Sequence, residues 1–245
     1  MSRYYYDFHI HSCLSPCGDD DMTPANIAGA ATLAGLNIVA LTDHNTAKNC
    51  PAFMKAAKKY GIIGIAGMEL TTAEDIHVVC LFENLEDALS FSDEIERHIV
   101  KIKNRPEIFG RQQIMDDEDN ILGEEEFLLS NATDISVEDV PKLVQEFCGV
   151  CYPAHIDRTA NGIVSILGVF PKESDFSAYE LHNAEKTTEY EDRFNHLKDK
   201  LRIIGSDAHY LWDLRDAEDY IDIDDEPYSS ELVRKRLFRY LRGEK

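Results

Sequence analysis

Apolar runs of strand length alternate with segments of helical period along this chain, and that alternation limits its fold more than any other feature. "YYDFHIHS", "PANIAGAATLAG", "NIVALTDH" and "PAFMKAAKKYG" follow one another up to Gly61, which is βαβα grammar. Thr23 before Pro24 and Cys50 before Pro51 put proline at the first helical position, while Gly35 and Gly61 fall where the helices should stop. "IIGIAGMELTT" and "DIHVVCLFE" read as two strands joined by a few residues, hence a closely paired unit, and a long helix follows from about Leu85 to Asn104. Further on, "SVEDVPKLVQEFCG" reads as a helix capped by Ser136. "VCYPAHID", "AYELHN" and "RIIGSDAH" read as strands separated by helices near 162–168 and 187–199. The last segment, "SSELVRKRLFRYLRGEK", is a basic amphipathic helix expected to pack on the outside of a barrel. Seven or so strands alternating with helices predict one α/β barrel-like domain over residues 1–245.

Between Arg105 and about Thr133 the period is lost, and Pro106, Gly110 and Gly123 punctuate the stretch. It reads as an insertion, and three roles stay open for it: a substrate-selecting lid, an oligomer contact or a plain loop. The acidic runs 116–126 and 216–226 lack the glycine of a calcium-binding loop and read as solvated loops.

In an α/β barrel the C-terminal ends of the strands converge on one face, so position says more than count. His9 and His11 end the first strand, Asp43 and His44 the second, Glu69 the third, His155 the fifth, and Asp207 with His209 the last. His77 lies on the strand paired with that of Glu69. The spacing of His9 and His11 puts both imidazoles on the same face of a strand, and Asp207 and His209 repeat it. One such histidine is ordinarily a core or surface residue. Several of them buried beside carboxylates with no cation would be costly, so together they predict a multinuclear metal site.

Composition narrows the partners. The formal charge of −21, from 46 acidic and 25 basic residues, repels polyanions, so a long nucleic acid is not the expected partner. No run of 18 apolar residues occurs, so no membrane association is expected. The first residues lack the apolar stretch of a secretory signal, which predicts a cytoplasmic protein whose six cysteines are free thiols or metal ligands.

Six segments in order across residues 7–209, "DFHIHSCLSPCG", "ALTDHN", "GMEL", "DIHVVCLF", "PAHIDR" and "GSDAH", resemble the successive motifs of the PHP (polymerase and histidinol phosphatase) family of metal-dependent phosphoesterases. The resemblance implies a distorted, TIM-like seven-stranded (β/α) barrel with two or three divalent metal ions, zinc, manganese or iron. It implies that His9, His11, Glu69 and Asp207 bind one ion, and that Glu69, His77 and His155 bind a second, Glu69 bridging. A third would use His44, His209 and a residue of the loop after the histidine pair. By spacing Cys17 matches best and Asp19 next, and cysteine would favour zinc over manganese.

The expected activity is hydrolysis of phosphate esters of small molecules or nucleotides by a hydroxide that two metals generate. An exonuclease-type phosphodiesterase acting on short oligonucleotides or DNA ends, and a non-catalytic metal-binding module, are the alternatives. Arg158, three residues after His155, is placed to hold the substrate phosphate through its planar fork. Asp43 is expected to orient a ligand from behind. His182, at another strand end, is read as a proton donor or substrate contact, with a structural role equally open. His98 and His196 are read as surface residues.

Overall fold

A computed structural model of the chain describes residues 1–244. Its first half runs β1 (Ser2–Asp7), α1 (Pro24–Leu33), β2 (Ile38–Leu41), α2 (Cys50–Tyr60), β3 (Ile63–Thr71), β4 (His77–Phe82), α3 (Leu85–His98), α4 (Pro106–Phe109), β5 (Gln113–Met115) and β6 (Ile121–Glu124). The second runs α5 (Val140–Glu146), β7 (Val150–Pro153), α6 (Ile163–Leu167), β8 (Ala178–Leu181), α7 (Thr187–Arg193), β9 (Leu201–Ile204), β10 (Tyr220–Ile223) and α8 (Ser230–Leu241).

The fold is mixed α/β. Six strands form one curled sheet in the order β10-β1-β2-β3-β4-β7, in which β1, β2 and β3 are parallel, while β4 runs antiparallel to both β3 and β7. The β3–β4 pair is the unit that the two adjacent apolar runs predict. Parallel strands β8 and β9 form a separate pair. Single links join it to the rest: Ile156 N–H donates to the Glu180 carbonyl (2.9 Å) beyond β7, and Ile10 bridges Ala208 beyond β1. The continuous ladder is therefore a half-barrel.

Every residue of β3 is buried, as a strand covered on both faces requires. Inside the curl, Tyr6 and Phe8 stack (4.4 Å, 18°) among Ile65, Val79, Tyr152 and Ile203, and between sheet and helices Ile27, Phe53, Phe82 and Phe91 fill a larger cluster. Thr23 caps α1 by accepting from Asn26 N–H (3.2 Å), and Gly61 ends α2 in the left-handed conformation at φ 76°.

Several sequence expectations shift. The acidic run 216–226 contains β10, which pairs antiparallel with β1 and alternates buried Ile221 and Ile223 with exposed Tyr220 and Asp222. The C-terminal helix α8 joins the inner cluster through Val233, Leu237, Phe238 and Leu241, so it covers the end of the curl away from the site rather than the outer ring. Helix α3 stops at His98, because Ile99 turns extended and bridges Thr133. Helix α5 starts at Val140, not at Ser136, whose hydroxyl donates to Glu74 (3.0 Å). His196 is half-buried with its ring against Phe170 and Phe194.

The 105–133 stretch is structured. It holds α4 and the antiparallel β5–β6 hairpin, so the acidic run 116–126 is partly strand. It is tied to the loops at the strand ends: Gln113 N–H donates to the Cys13 carbonyl (2.9 Å), and Asn49 accepts from Met115 N–H (2.9 Å) while donating to the Gln113 carbonyl (3.1 Å). Asn45, next to His44, donates to the carbonyls of Leu129 (2.7 Å) and Asn131 (2.8 Å).

Candidate metal centre

The strand ends bring their titratable residues together. The hydrogen-bonded part of β1 ends at Asp7, whose carboxylate accepts from His9 N–H (3.3 Å), yet Ile10 still pairs with Ala208, and His9 and His11 converge beside it. Their Nε2 atoms lie 3.3 Å apart. Glu69, two residues before the end of β3, is the hub. Its Oε1 lies 3.1 Å from His9 Nε2, 2.9 Å from His77 Nδ1 and 3.1 Å from His155 Nε2. Its Oε2 lies 3.3 Å from His11 Nε2 and 3.1 Å from His44 Nδ1. Asp207 Oδ1 lies 3.2 Å from His11 Nε2 and 3.4 Å from His9 Nε2.

Three groups of donors have ligand atoms within 4.8 Å of one another: His9, His11, Glu69 and Asp207; His44, Glu69 and His77; and His11, Cys17, His44 and His209. His155 approaches through Glu69, and His11 belongs to two groups. Asp19 stays apart, its carboxylate accepting from Asp21 N–H (3.0 Å) within its own turn. Cys17 is exposed and held by a tight loop, in which a Cβ on Gly18 would stand 2.3 Å from the Ser12 carbonyl oxygen.

The donor set fits cations. His44 Nδ1, His77 Nδ1 and Asp207 Oδ1 are buried without a hydrogen bond although other site atoms stand within contact distance, so the lone pairs are not spent on each other. Burial alone would push the Glu69 carboxyl up, but the charges of His77 and His9 and hydrogen bonds with His11 and His155 hold it well below the usual carboxylate range. Burial likewise opposes ionisation of Asp207, and His9 and His11 reverse it. Desolvation at the rim opposes ionisation of Cys17, but His44 and His209 outweigh it and hold the thiol at about 5. Left-handed φ values at His155 (27°) and Asp207 (52°) place both in a conformation that side chains rarely adopt, a strain that recurs at functional sites.

Behind the donors stand two buried carboxylates. Asp43 does not face the cluster: it accepts from Ser12 N–H (2.7 Å), Ser12 Oγ (2.7 Å) and Ser15 Oγ (2.8 Å). Ser15 Oγ, donating to Asp43, is left to accept from His11 Nδ1 (2.9 Å), which fixes the lone pair of His11 on Nε2. Glu180 does the same for His9, its Oε1 accepting from His9 Nδ1 (2.8 Å) and His155 N–H (3.0 Å). Sequence reasoning passed over Glu180. The signal for it is a carboxylate inside "AYEL", a strand buried at all four positions, which requires a partner.

A cavity of about 140 Å³ opens onto His44, Glu69, His77, His155, Asp207 and His209, with Arg158 in its wall. Arg158 Nη1 donates to Asp207 Oδ2 (2.5 Å), and Nη2 stands 3.3 Å from His182 Nδ1. Asp157 fixes the His182 backbone, accepting from its N–H (2.8 Å). Burial and the Arg158 charge push the His182 imidazole below its ordinary value. No helix among the described residues is long and apolar enough to cross a membrane.

The chain is similar to several known proteins. The chain is 33% identical over 100 residues to an uncharacterised protein of Methanocaldococcus jannaschii, a match covering 37% of this chain and 58% of that protein. It is 37% identical over 79 residues to a 5′-3′ exoribonuclease of Haemophilus influenzae, covering 31% of this chain and 28% of the enzyme. The chain thus matches little more than half the length of the first relative and less than a third of the second. The lesion-specific endonuclease Q of Pyrococcus furiosus superposes with a TM-score of 0.68 at 17% identity, over 99% of this chain and 56% of the endonuclease. An endonuclease Q complex with a 27-mer duplex gives 0.64 at 16%, over 99% and 57%. At such identities the likeness is one of fold alone. The PHP domain profile matches residues 7–158, well over half of the sequence and the segment that supplies most of the clustered donors. On that match, the chain belongs to the PHP domain family.

Proposed function

We propose that this chain is a metal-dependent phosphoesterase, a hydrolase that cleaves phosphate esters of small molecules or nucleotides, acting as one PHP domain in the cytoplasm. The observation that carries this reading is the convergence of six histidines, Glu69, Asp207 and Cys17, with His44, His77, His155, His209 and both carboxylates lining one small cavity and buried lone pairs left without hydrogen bonds. His9, His11, Glu69 and Asp207 would hold one divalent cation. Glu69, His77 and His155, with His44 beside them, would hold a second, and His11, Cys17, His44 and His209 a third, zinc being favoured by the thiolate and manganese or iron suiting the carboxylate-rich groups. Bound cations supply the acidification of a water and the neutralisation of phosphate charge. The chain's own residues do the rest. Glu180 and Ser15 hold the imidazoles of His9 and His11 in one tautomer. Arg158 grips the phosphate through its fork, and His182, whose neutral form burial and the Arg158 charge favour, stands beside it as a substrate contact. The ring of β1–β4 and β7–β9 is read as the distorted seven-stranded barrel, with 105–133 its insertion.

A nuclease reading is favoured by particular relatives. One is an exoribonuclease by name and another was solved with a 27-mer duplex substrate, which weighs against setting nucleic acid aside on charge alone. Purified protein loaded with Mn²⁺, Zn²⁺ or Fe²⁺ is to be assayed on a panel of phosphomonoesters and on an oligonucleotide. Phosphate release from monoesters supports the leading reading, and mononucleotide release without monoester turnover supports the nuclease. Hydrolysis of neither refutes both.

A further inference from the structure

The segment after the last pair of site residues carries two aromatic rings that the core does not use. Tyr210 and Trp212 stack on each other with centroids 4.8 Å apart and planes at 15°. Trp212, the chain's single tryptophan, is 78% exposed, and Tyr210 is 39% exposed. The segment that presents them is anchored. Leu211 and Leu214 pack against the outer core cluster, and Asp213 N–H donates to the Tyr210 carbonyl (2.9 Å). The leucines turn inward, which leaves the aromatic pair outside as a fixed shelf with its outer face open to water, an unfavourable arrangement for a Trp without a ligand.

Both ends of the segment belong to the rim of the metal centre. Tyr210 follows His209, whose carbonyl accepts from Asp19 N–H (2.9 Å), and Arg215 Nη1 donates to the carbonyl of His182 (2.9 Å). Three residues of chain span at most about 11 Å, so the shelf lies within reach of a ring joined through a sugar to a phosphate held at the site. Its neighbours along the segment, Asp213, Asp216 and Glu218, are exposed acids. Two rings among acids make too small an apolar patch for a protein partner, and they match the face of one planar, uncharged heterocycle.

We propose that Tyr210 and Trp212 form a stacking shelf for the base of the substrate, so that the ester hydrolysed next to it bears a nucleobase. The inference rests on the phosphoesterase reading for what happens to the phosphate, but binding at the shelf needs no turnover. Because Trp212 is the single tryptophan, its fluorescence reports this position directly in the full chain. Titration with each of the four common ribonucleoside 5′-monophosphates, against ribose 5-phosphate as the base-free control, is expected to quench it saturably with at least one nucleotide and not with the sugar phosphate. By calorimetry, Trp212→Leu is expected to raise the Kd for that nucleotide about 5- to 150-fold, with Trp212→Phe recovering most of the loss. At 78% exposure the position tolerates both changes without loss of fold. No saturable quenching by any nucleotide, equal quenching by ribose 5-phosphate, or an unchanged Kd in the leucine variant would overturn the shelf. A phosphoesterase reading that fails shows instead as no hydrolysis of any ester by the metal-loaded wild type, whatever the fluorescence does.

Discussion

Replacing Glu180 with glutamine asks whether the metal centre is aimed from behind. Glu180 is fully buried, and its Oε1 holds His9 Nδ1 at 2.8 Å and the His155 N–H at 3.0 Å. With Nδ1 donating, His9 turns the lone pair of Nε2 toward Glu69 (3.1 Å) and Asp207 (3.4 Å). Glutamine keeps the volume, and volume matters here because a Cβ on Gly205 would already stand 2.5 Å from Glu180 Oε2. What changes is charge. A hydrogen bond to a charged group contributes about 1.5–3 kcal/mol net and a neutral one about 0.5–1.5, so the substitution removes about 1–1.5 kcal/mol of orientation and basicity at His9. That is about tenfold in cation affinity, with about a hundredfold as the upper end for a residue behind a metal ligand. Calorimetric titration of chelator-stripped Glu180→Gln with Mn²⁺ and Zn²⁺ measures the Kd, and a thermal melt of the stripped protein checks the fold. The expected result is a Kd raised about 10- to 100-fold with a melting temperature close to that of the wild type. A folded variant that binds both cations as tightly as the wild type would refute the reasoning.

Other substitutions probe the rest of the arrangement. Glu69→Gln, which removes the charge five histidines surround, is expected to abolish hydrolysis and lower metal content by elemental analysis; full occupancy in the variant would remove Glu69 as the bridge. Arg158→Ala is expected to raise KM for a phosphomonoester about 10- to 150-fold, and Arg158→Lys to restore only part, since a point charge lacks the fork; equal recovery would deny a bidentate grip. Cys17→Ser is expected to erase the thiolate-to-metal absorption band of the Co²⁺-loaded protein, and a band that persists would place the thiolate elsewhere. Away from the site, the Asp134 hydrogen bond outweighs burial and, with a lesser contribution from Glu94, raises the His98 imidazole above its ordinary value. A raised histidine stabilises the fold fully below its unfolded value and less as pH climbs through its folded one, so Asp134→Asn should lower the urea midpoint more at about pH 5.5 than at about pH 9. A loss equal at both pH values would count against that linkage.

Most of the donor cluster was legible because a barrel converts strand ends into a single face, and His9, His44, Glu69, His155 and Asp207 all stand at such ends. The second donor group was less so: the structure sets His44 beside Glu69 and His77, since β2 and β3 are parallel and His44 bridges Glu69 across them, a register no local pattern reports. Strand β10 was hidden because its acids mask the alternation of Ile221 and Ile223, and only pairing with β1 reveals which side is buried. The start of α5 was misplaced because Ser136 closes a turn rather than the helix itself: its hydroxyl accepts from Glu138 N–H (3.4 Å) and donates to Glu74, which is 62 residues away and invisible to local sequence. The insertion lost its period for the same reason. Its order comes from Asn45 and Asn49, polar side chains reaching into it from other loops.

The overall charge determines where affinity for an anionic substrate can arise. At −21 the protein is acidic overall, and much of what is basic near the insertion is already engaged: Lys48 with Glu125, Lys103 with Glu126 (3.5 Å) and Arg111 with Glu124 (3.0 Å). On the proposed reading, a phosphate approaching this protein gains little until it reaches the cavity, where cations held by the donor groups, together with Arg158, would reverse the sign locally. Attraction confined to one cavity rewards a substrate that presents one phosphate there and takes the rest of its binding from uncharged contacts. A long polyanion would have to lay its remaining phosphates along an acidic face, so a polymer is best met at an end or at an unpaired nucleotide. The proposed shelf of Tyr210 and Trp212 fits the same reasoning: beside the cavity, stacking would add affinity without adding charge.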